Sequence, residues 1–510
     1  MLSQVYSCGV LGIDGVIITV EIDVAGGLPA YVTVGLPDAG VRESKERVCS
    51  AIKNSGWSFP MKRVTINLAP ADLKKEGAAY DLPIALGLLV STEQLSCPDL
   101  KDYVLIGELS LSGEIRPVAG VLSMVLAARK QGFKKIIVPE ANRLEAGIVS
   151  DIEVYPMADL KEAAQHLAGT EIKAPFALDA QSVLKEGGQA PEVLDFSQIR
   201  GQDSAKRALE IAAAGAHNVL LCGPPGSGKS MLAKAFASIL PELTLEEALE
   251  ITKIYSISGL MTGGSMMTAR PFRSPHHTIS KVSLVGGGRI PKPGEVSLAH
   301  LGVLFLDELP EFQKSALEVL RQPIEDQQVT ISRVSAALTY PASFTLIASM
   351  NPCPCGYLGD PDHTCTCTPT EIKRYSGKLS GPLLDRIDIR LEVPATRFED
   401  LAGVGRAETS ASIRKRVNLA RKRQNERYQK EPGIYFNTQL TPGLMERHCR
   451  LGSSERMLME KIYKKMNLSA RGYHRILKLA RTIADLDGAE DISSIHLGEA
   501  IQYRSFEIQG

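Results

Sequence analysis

The chain has 510 residues and carries 58 basic and 58 acidic side chains, so its formal net charge at neutral pH is zero. That balance excludes a global field pulling the protein toward nucleic acid or acidic lipid, and leaves any such attraction to local clusters. A composition of 44% hydrophobic and 23% charged residues excludes long-range disorder, and the length calls for two to four domains.

The first ten residues, Met1 to Val10, show no basic segment followed by an apolar one, and no stretch approaches the ~20 uninterrupted apolar residues of a membrane span. A cytoplasmic protein without a membrane partner is therefore expected. From Gly9 to about Ala168, β-branched runs such as Val16 to Val20 and Val64 to Leu68 alternate with helical patterns at Leu82 to Val90 and Val121 to Gln131, which predicts an α+β domain over 1–170. Residues 171–195 lose periodicity and contain Pro175, Gly187, Gly188 and Pro191, the composition of an exposed linker. Ser204 to Ala214 then reads as a helix, Asn218 to Cys222 as a buried strand and Lys229 to Leu240 as a helix. Val303 to Leu306 and Thr345 to Ala348 are apolar on both faces, as buried parallel strands are. The expected class is α/β, with a parallel-sheet core over 196–395, followed by an α-helical domain over 396–510. There is no internal repeat.

The run Gly223-Pro224-Pro225-Gly226-Ser227-Gly228-Lys229-Ser230 fits G-x-x-x-x-G-K-[ST] and stands between the predicted strand and helix. Glycines there let backbone N–H groups turn toward phosphates, and the helix N-terminus adds its positive end. Lys229 reaches the β and γ phosphates and Ser230 ligates Mg²⁺, so ATP and magnesium are the expected cofactors. A Gly-rich turn that binds nothing is the blander reading, and its position argues against it. Downstream, Val303-Leu304-Phe305-Leu306-Asp307-Glu308 is an apolar strand ending in two acids. Asp307 is assigned to Mg²⁺ and Glu308 to polarising the attacking water. Taken alone, such a pair serves as often as a helix N-terminal device.

Asp195-Phe196-Ser197-Gln198-Ile199, Gly201-Gln202, the phosphate loop and the acid pair together resemble an AAA+ ATPase module. Three further segments, Pro271-Phe272-Arg273-Ser274-Pro275-His276-His277, Pro293-Gly294-Glu295-Val296-Ser297-Leu298-Ala299-His300 and Leu383-Leu384-Asp385-Arg386-Ile387-Asp388, resemble the magnesium-chelatase-like clade. Within it the whole chain is similar to the ComM/YifB family, which the resemblance links to DNA branch migration in natural transformation. The likeness implies that Asn351 senses the γ phosphate, that Arg386 is a finger presented to a neighbouring subunit's ATP, and that Arg471 is the second sensor on a helical lid. Arg386 as a salt-bridge partner of Asp385 or Asp388 is the plainer alternative, and Arg475 lies one turn from Arg471. A finger acting in trans implies a homo-oligomeric ring, hexameric in the family.

The segment from Gly107-Glu108-Leu109-Ser110-Leu111-Ser112-Gly113 to Val138-Pro139-Glu140 resembles the Lon-protease domain, also found attached to a bacterial recombination ATPase. Its Ser-Lys dyad is missing: Ala79 and Leu122 stand at the two positions, and neither provides a nucleophile or a base. The domain is read as a scaffold, with Lys62, Arg63, Lys74 and Lys75 as phosphate contacts or a solvated surface.

Cys353, Cys355, Cys365 and Cys367 can close a tetrahedral zinc site, with His363 as an alternative ligand and free thiols as the rival reading. For a polymer substrate, Arg289 and Lys292, between the phosphate loop and the acid strand, are the candidate DNA contacts, with solvated turn residues as the even alternative. The basic stretch Ile413 to Lys430 is a further candidate, or a solvated helix face. The expected function is an ATP-dependent motor acting on single-stranded, duplex or branched DNA, a helicase promoting recombination with recombination proteins as partners. The alternatives are a chelatase-type motor subunit and a protein-remodelling ATPase.

Overall fold

A computed structural model describes residues 2–187, 194–261, 264–288, 291–332, 337–395 and 408–505. The chain divides into two compact units, Met1–Gly188 with Thr244–Thr268, and Gln189–Leu243 with Ala269–Gly510.

The first unit is built on a seven-stranded sheet. Its order is Ala30–Val34, Arg63–Ala69, Asp14–Ala25, Leu2–Leu11, Tyr103–Leu105, Lys135–Pro139 and Glu153–Met157. Ile18, Val20, Ile22 and Val24 alternate inward along Asp14–Ala25, the period-2 pattern of a strand with one buried face. The helix Asp81–Ser91 is apolar on nearly every side and buried over almost its whole length, as a helix without a solvent face must be. Residues 171–187, expected as linker, run along this unit: the Phe176 N–H donates to the Val154 carbonyl at 2.8 Å and the Leu178 N–H to Gly147 at 2.8 Å, before the short helix Ala180–Glu186.

The helix Leu245–Ile257, which opens with a capping box of Thr244 and Glu247, also belongs to the first unit. The Gly120 N–H donates to the Ser256 hydroxyl at 2.9 Å. That hydroxyl donates in turn to the Glu145 carboxylate, which also accepts the Leu122 N–H at 2.8 Å. Burial raises the pKa of Glu145. The chain between the Lys229 helix and the strand Val303–Leu306 is thus divided, with Thr244–Thr268 belonging to the first unit and Ala269 onward to the second.

The second unit carries a five-stranded sheet in the order Phe272–Arg273, Val303–Leu306, Thr345–Met350, Val219–Cys222, Ile389–Glu392, every pairing parallel. The central strands are buried throughout, which is why they read as continuous apolar runs. Helices Ser410–Tyr428, Ser453–Lys465, Ala470–Asp487 and Ser494–Ser505 follow. Val417, Ile476, Ala480 and Leu497 share one core with Val219, Leu221 and Ile389. Charge also joins sheet and helices. Buried Asp388 accepts from the Asn218 N–H at 3.2 Å and pairs with Arg475, while Arg427 and Arg481 converge on the buried Asp485.

Candidate active site

The strand Val219–Cys222 ends at Gly223, and the helix Lys229–Phe236 begins six residues later. The turn between them needs two left-handed residues, met by Gly226 at φ +79° and Gly228 at φ +86°; a side chain at either position would be strained. Lys229 is buried, which lowers its pKa, and its Nζ donates to the carbonyls of Gly223 at 2.8 Å and Pro224 at 2.7 Å. The ammonium therefore sits over the loop, where phosphate oxygens can replace carbonyls as acceptors. Gln202, itself left-handed at φ +60°, braces the loop by donating from Nε2 to the Pro394 carbonyl at 2.7 Å and toward Ser227 O at 3.4 Å.

Because Val303–Leu306 and Val219–Cys222 both pair in parallel with Thr345–Met350, their carboxyl ends lie together, where open α/β sheets bind ligands. The Ser230 hydroxyl donates to Asp307 Oδ2 at 2.9 Å. Asp307 Oδ1 accepts the Ser349 hydroxyl and, at 3.1 Å, the Glu308 N–H. Ser230 and Asp307, the two residues expected at Mg²⁺, are thus within one hydrogen bond of each other, an oxygen donor set suited to a small hard cation. Glu308 has φ +53°, a conformation that costs a non-glycine residue about 1–2 kcal/mol. Its carboxylate is 60% exposed, and the His277 ring lies beside it, with Nδ1 3.8 Å from Oε2. A solvent-facing carboxylate beside the loop can align a water molecule.

Asn351 follows the last residue of Thr345–Met350, at the carboxyl end of the strand beside Asp307. Arg386 differs from expectation. It pairs with Glu325 at 2.5 Å and donates to the Pro382 carbonyl at 2.6 Å, and its side chain is only 8% exposed. Neither Asp385 nor Asp388 holds it, and a finger role requires its release from Glu325. Arg471 is exposed on the first turn of Ala470–Asp487, whereas Arg475, one turn on, is drawn back onto Asp388.

The Sγ atoms of Cys353, Cys355, Cys365 and Cys367 all lie within 4.8 Å of one another. Three separations, at 3.3, 3.7 and 3.6 Å, match the ~3.8 Å edge of a tetrahedron with zinc–sulfur bonds of about 2.3 Å. The Tyr357 backbone N–H pulls the Cys355 thiol down, whereas contact with the Cys355 and Cys353 sulfurs pushes the Cys365 and Cys367 thiols up, so the group as it stands shares protons that a metal would have to displace. His363 is not part of the group: it stacks on Tyr357 and faces Asp360 at 3.2 Å. The residues present fit a four-thiolate zinc site.

Of the candidate polymer contacts, Lys292 is exposed and pairs with Gly287 in a short hairpin; Arg289 lies outside the described residues. The basic helix Ser410–Tyr428 spends most of its arginines internally. Arg416 pairs with Glu210 and Glu408, Arg421 donates to Ala213 O, Arg423 to Asp485 O, and Arg427 pairs with Asp485. That leaves Lys415 and Lys422 exposed and makes the helix chiefly a packing element. In the first unit, Lys75 is buried, with its Nζ on the carbonyls of Leu73 and Pro70, and Lys74 pairs with Glu76. Neither is a free phosphate contact.

Ser349, His277 and Gln202 were not singled out from sequence as site residues. The Gly201-Gln202 motif carried a signal for the last, but Ser349 is one polar residue in a buried strand and only the pairing with Val303–Leu306 brings it to Asp307.

Three family models match the chain: magnesium chelatase, subunit ChlI, over residues 195–401; subunit ChlI of Mg-chelatase over 20–142; and the magnesium chelatase subunit ChlI C-terminal model over 407–504. Competence protein ComM of Haemophilus influenzae is 44% identical over 506 residues, covering 99% of this chain and 97% of its own. Uncharacterized protein YifB of Escherichia coli is 45% identical over 509 residues, again 99% and 97%. A magnesium-chelatase 67 kDa subunit of Chlorobaculum parvum is 31% identical over 164 residues, 31% of this chain and 24% of its own. With 44–45% identity sustained over 99% of its length, the chain belongs to the ComM/YifB family of magnesium-chelatase-like AAA+ ATPases.

Proposed function

We propose that the protein is an ATP-driven DNA motor, a ring-forming helicase that moves branched or single-stranded DNA during recombination. The observation that carries the hydrolytic part is the junction of the two motifs at one point, with Ser230 donating to Asp307 at 2.9 Å while Lys229 covers the loop. In this reading Lys229 exchanges the Gly223 and Pro224 carbonyls for phosphate oxygens, Ser230 and Asp307 hold Mg²⁺, and Glu308 orients the water. Bound magnesium supplies charge neutralisation at the phosphates. Asn351 senses the γ phosphate, Arg471 closes over the nucleotide, and Arg386, freed from Glu325, completes the pocket of the next subunit in a hexamer. The four cysteines hold a structural zinc ion, and Lys292 and Arg289 touch the DNA backbone.

The DNA substrate draws support from the whole-length likeness to a competence protein. The absence of a nucleophile and base at Ala79 and Leu122 favours a scaffold role for the Lon-like domain over proteolysis. No described helix is long and apolar enough to cross a membrane, which fits a cytoplasmic site of action. The test is displacement of a labelled strand from forked and three-way junctions with ATP and Mg²⁺, at stated salt because phosphate contacts are salt-sensitive. Displacement that needs ATP and is lost in Lys229→Ala supports the reading; ATP turnover with neither DNA binding nor displacement moves the substrate to a protein.

A further inference from the structure

The cysteine loop begins where the nucleotide site ends. It leaves the sheet after Met350, whose carbonyl accepts the Gly223 N–H at 3.2 Å. Cys353 is fully buried, and three residues on, Gly356 stands at φ +90°. A Cβ built on Gly356 would lie 2.6 Å from Cδ and 2.8 Å from Cγ of Pro225, the third residue of the phosphate loop. The backbone of the cysteine loop is therefore pressed against the phosphate loop so closely that only glycine fits. The loop's other end is tied down as well. The Cys355 N–H donates to Cys367 Sγ at 3.3 Å, and Thr368 caps the helix Pro369–Ser376 through the Glu371 N–H.

We propose that the metal-closed cysteine loop is the wall on which the phosphate loop rests at Pro225, so that metal occupancy and nucleotide affinity are coupled. This rests on the reading of the Lys229 loop as the ATP site and of the four thiolates as a zinc site. The link is short: Gly356 is bonded to Cys355, so fixing that sulfur fixes the residue that meets Pro225. Loss of the metal frees the four sulfurs that tie the two ends of residues 352–368, and the wall loosens. Coupling of this kind is reciprocal, since whatever factor the metal adds to nucleotide affinity the nucleotide adds to metal affinity.

Two measurements test it, neither of them turnover. In the first, zinc transfer from the wild-type protein to a zinc-selective chelator is followed with and without a saturating non-hydrolysable ATP analogue. The expectation, read from the zinc left on the protein at equilibrium with the chelator, is an affinity raised at least about 5-fold by nucleotide, the lower end of ordinary coupling. In the second, a fluorescent non-hydrolysable ATP analogue is titrated into the wild type, Gly356→Ala and Gly359→Ala. Gly359 lies in the same loop at φ +80° with nothing within 4 Å of its added Cβ, so it carries the same backbone strain without the clash. Gly356→Ala should keep its zinc yet bind nucleotide at least about 5-fold more weakly, while Gly359→Ala keeps both. Unchanged affinity in Gly356→Ala overturns the proposal, as does an equal loss in Gly359→Ala or a zinc affinity indifferent to nucleotide. Should Gly356→Ala fail to fold, the wild-type release experiment decides alone. A wild type that holds no zinc or binds no ATP overturns the underlying reading and the proposal with it, and shows this before any substitution is made.

Discussion

Replacing Ser349 by alanine tests whether Asp307 is held for magnesium. Asp307 accepts three hydrogen bonds: Ser230 Oγ at 2.9 Å on Oδ2, and the Ser349 hydroxyl with the Glu308 N–H at 3.1 Å on Oδ1. Ser349 is 1% exposed, so water cannot readily take over its bond. A hydrogen bond to a charged group contributes about 1.5–3 kcal/mol. If that free energy fixes the carboxylate in its metal-binding orientation, its loss corresponds to about 10- to 150-fold in the Mg²⁺ concentration at half-maximal turnover. The assay is steady-state ATP hydrolysis across a magnesium titration, with nucleotide binding in the absence of magnesium as the control expected to stay near wild type. A magnesium midpoint within about twofold of wild type, far below that range, refutes the role given to Ser349 and Asp307.

The remaining expectations concern other parts of the second unit. Arg386→Ala is expected to assemble and bind ATP yet lose about 10³-fold or more in turnover; full activity in a hydrolysis assay removes the trans role. Asp388→Ala leaves Arg475 without its buried partner and is expected to cost about 3–5 kcal/mol, read from urea unfolding. The same carboxylate gives a pH dependence. Although burial works against its charged form, Arg475 and His217 hold its pKa well below the usual 3.8. Its contribution is therefore present above the ordinary carboxylate range and is lost as pH falls below about 4 toward the folded value. Asp388→Ala should flatten that acid limb of the melting profile, and an unchanged limb contradicts the assignment. Zinc analysis of the purified protein is expected to find about one ion per chain, falling to near zero in Cys353→Ser. Lys292→Ala is expected to lower the salt dependence of DNA affinity by about one unit of slope; an unchanged slope places the backbone contact elsewhere.

The strand, glycine turn and helix around Lys229 were legible because their signature is local: glycines at fixed spacing, then lysine and serine, bounded by an apolar run and a helical pattern. The same holds for Val303–Leu306, where a strand buried on both faces leaves a continuous apolar signature. The serine in Thr345–Met350 was hidden because its significance depends on which strand lies beside it. Arg386 shows a second limit. Its motif marks it as an arginine of interest, but Glu325, which now holds it, is distant in sequence and follows no spacing rule. The basic helix Ser410–Tyr428 misled in the other direction, since a linear run of arginines does not reveal that Glu210, Ala213 and Asp485 wait beneath it. Nor did the helix Leu245–Ile257 announce that it leaves one unit for the other, because its pairing with Gly120 and Glu145 is made by single polar atoms.

Whether the Lys229 loop and Glu308 form a hydrolytic ATP site is decided by phosphate release from the purified protein with ATP and Mg²⁺, with and without forked DNA. Turnover should rise with DNA and disappear in both Lys229→Ala and Glu308→Gln, the second still binding nucleotide. Absence of turnover in assembled wild-type protein supplied with DNA, or turnover that survives Glu308→Gln unchanged, would contradict that assignment.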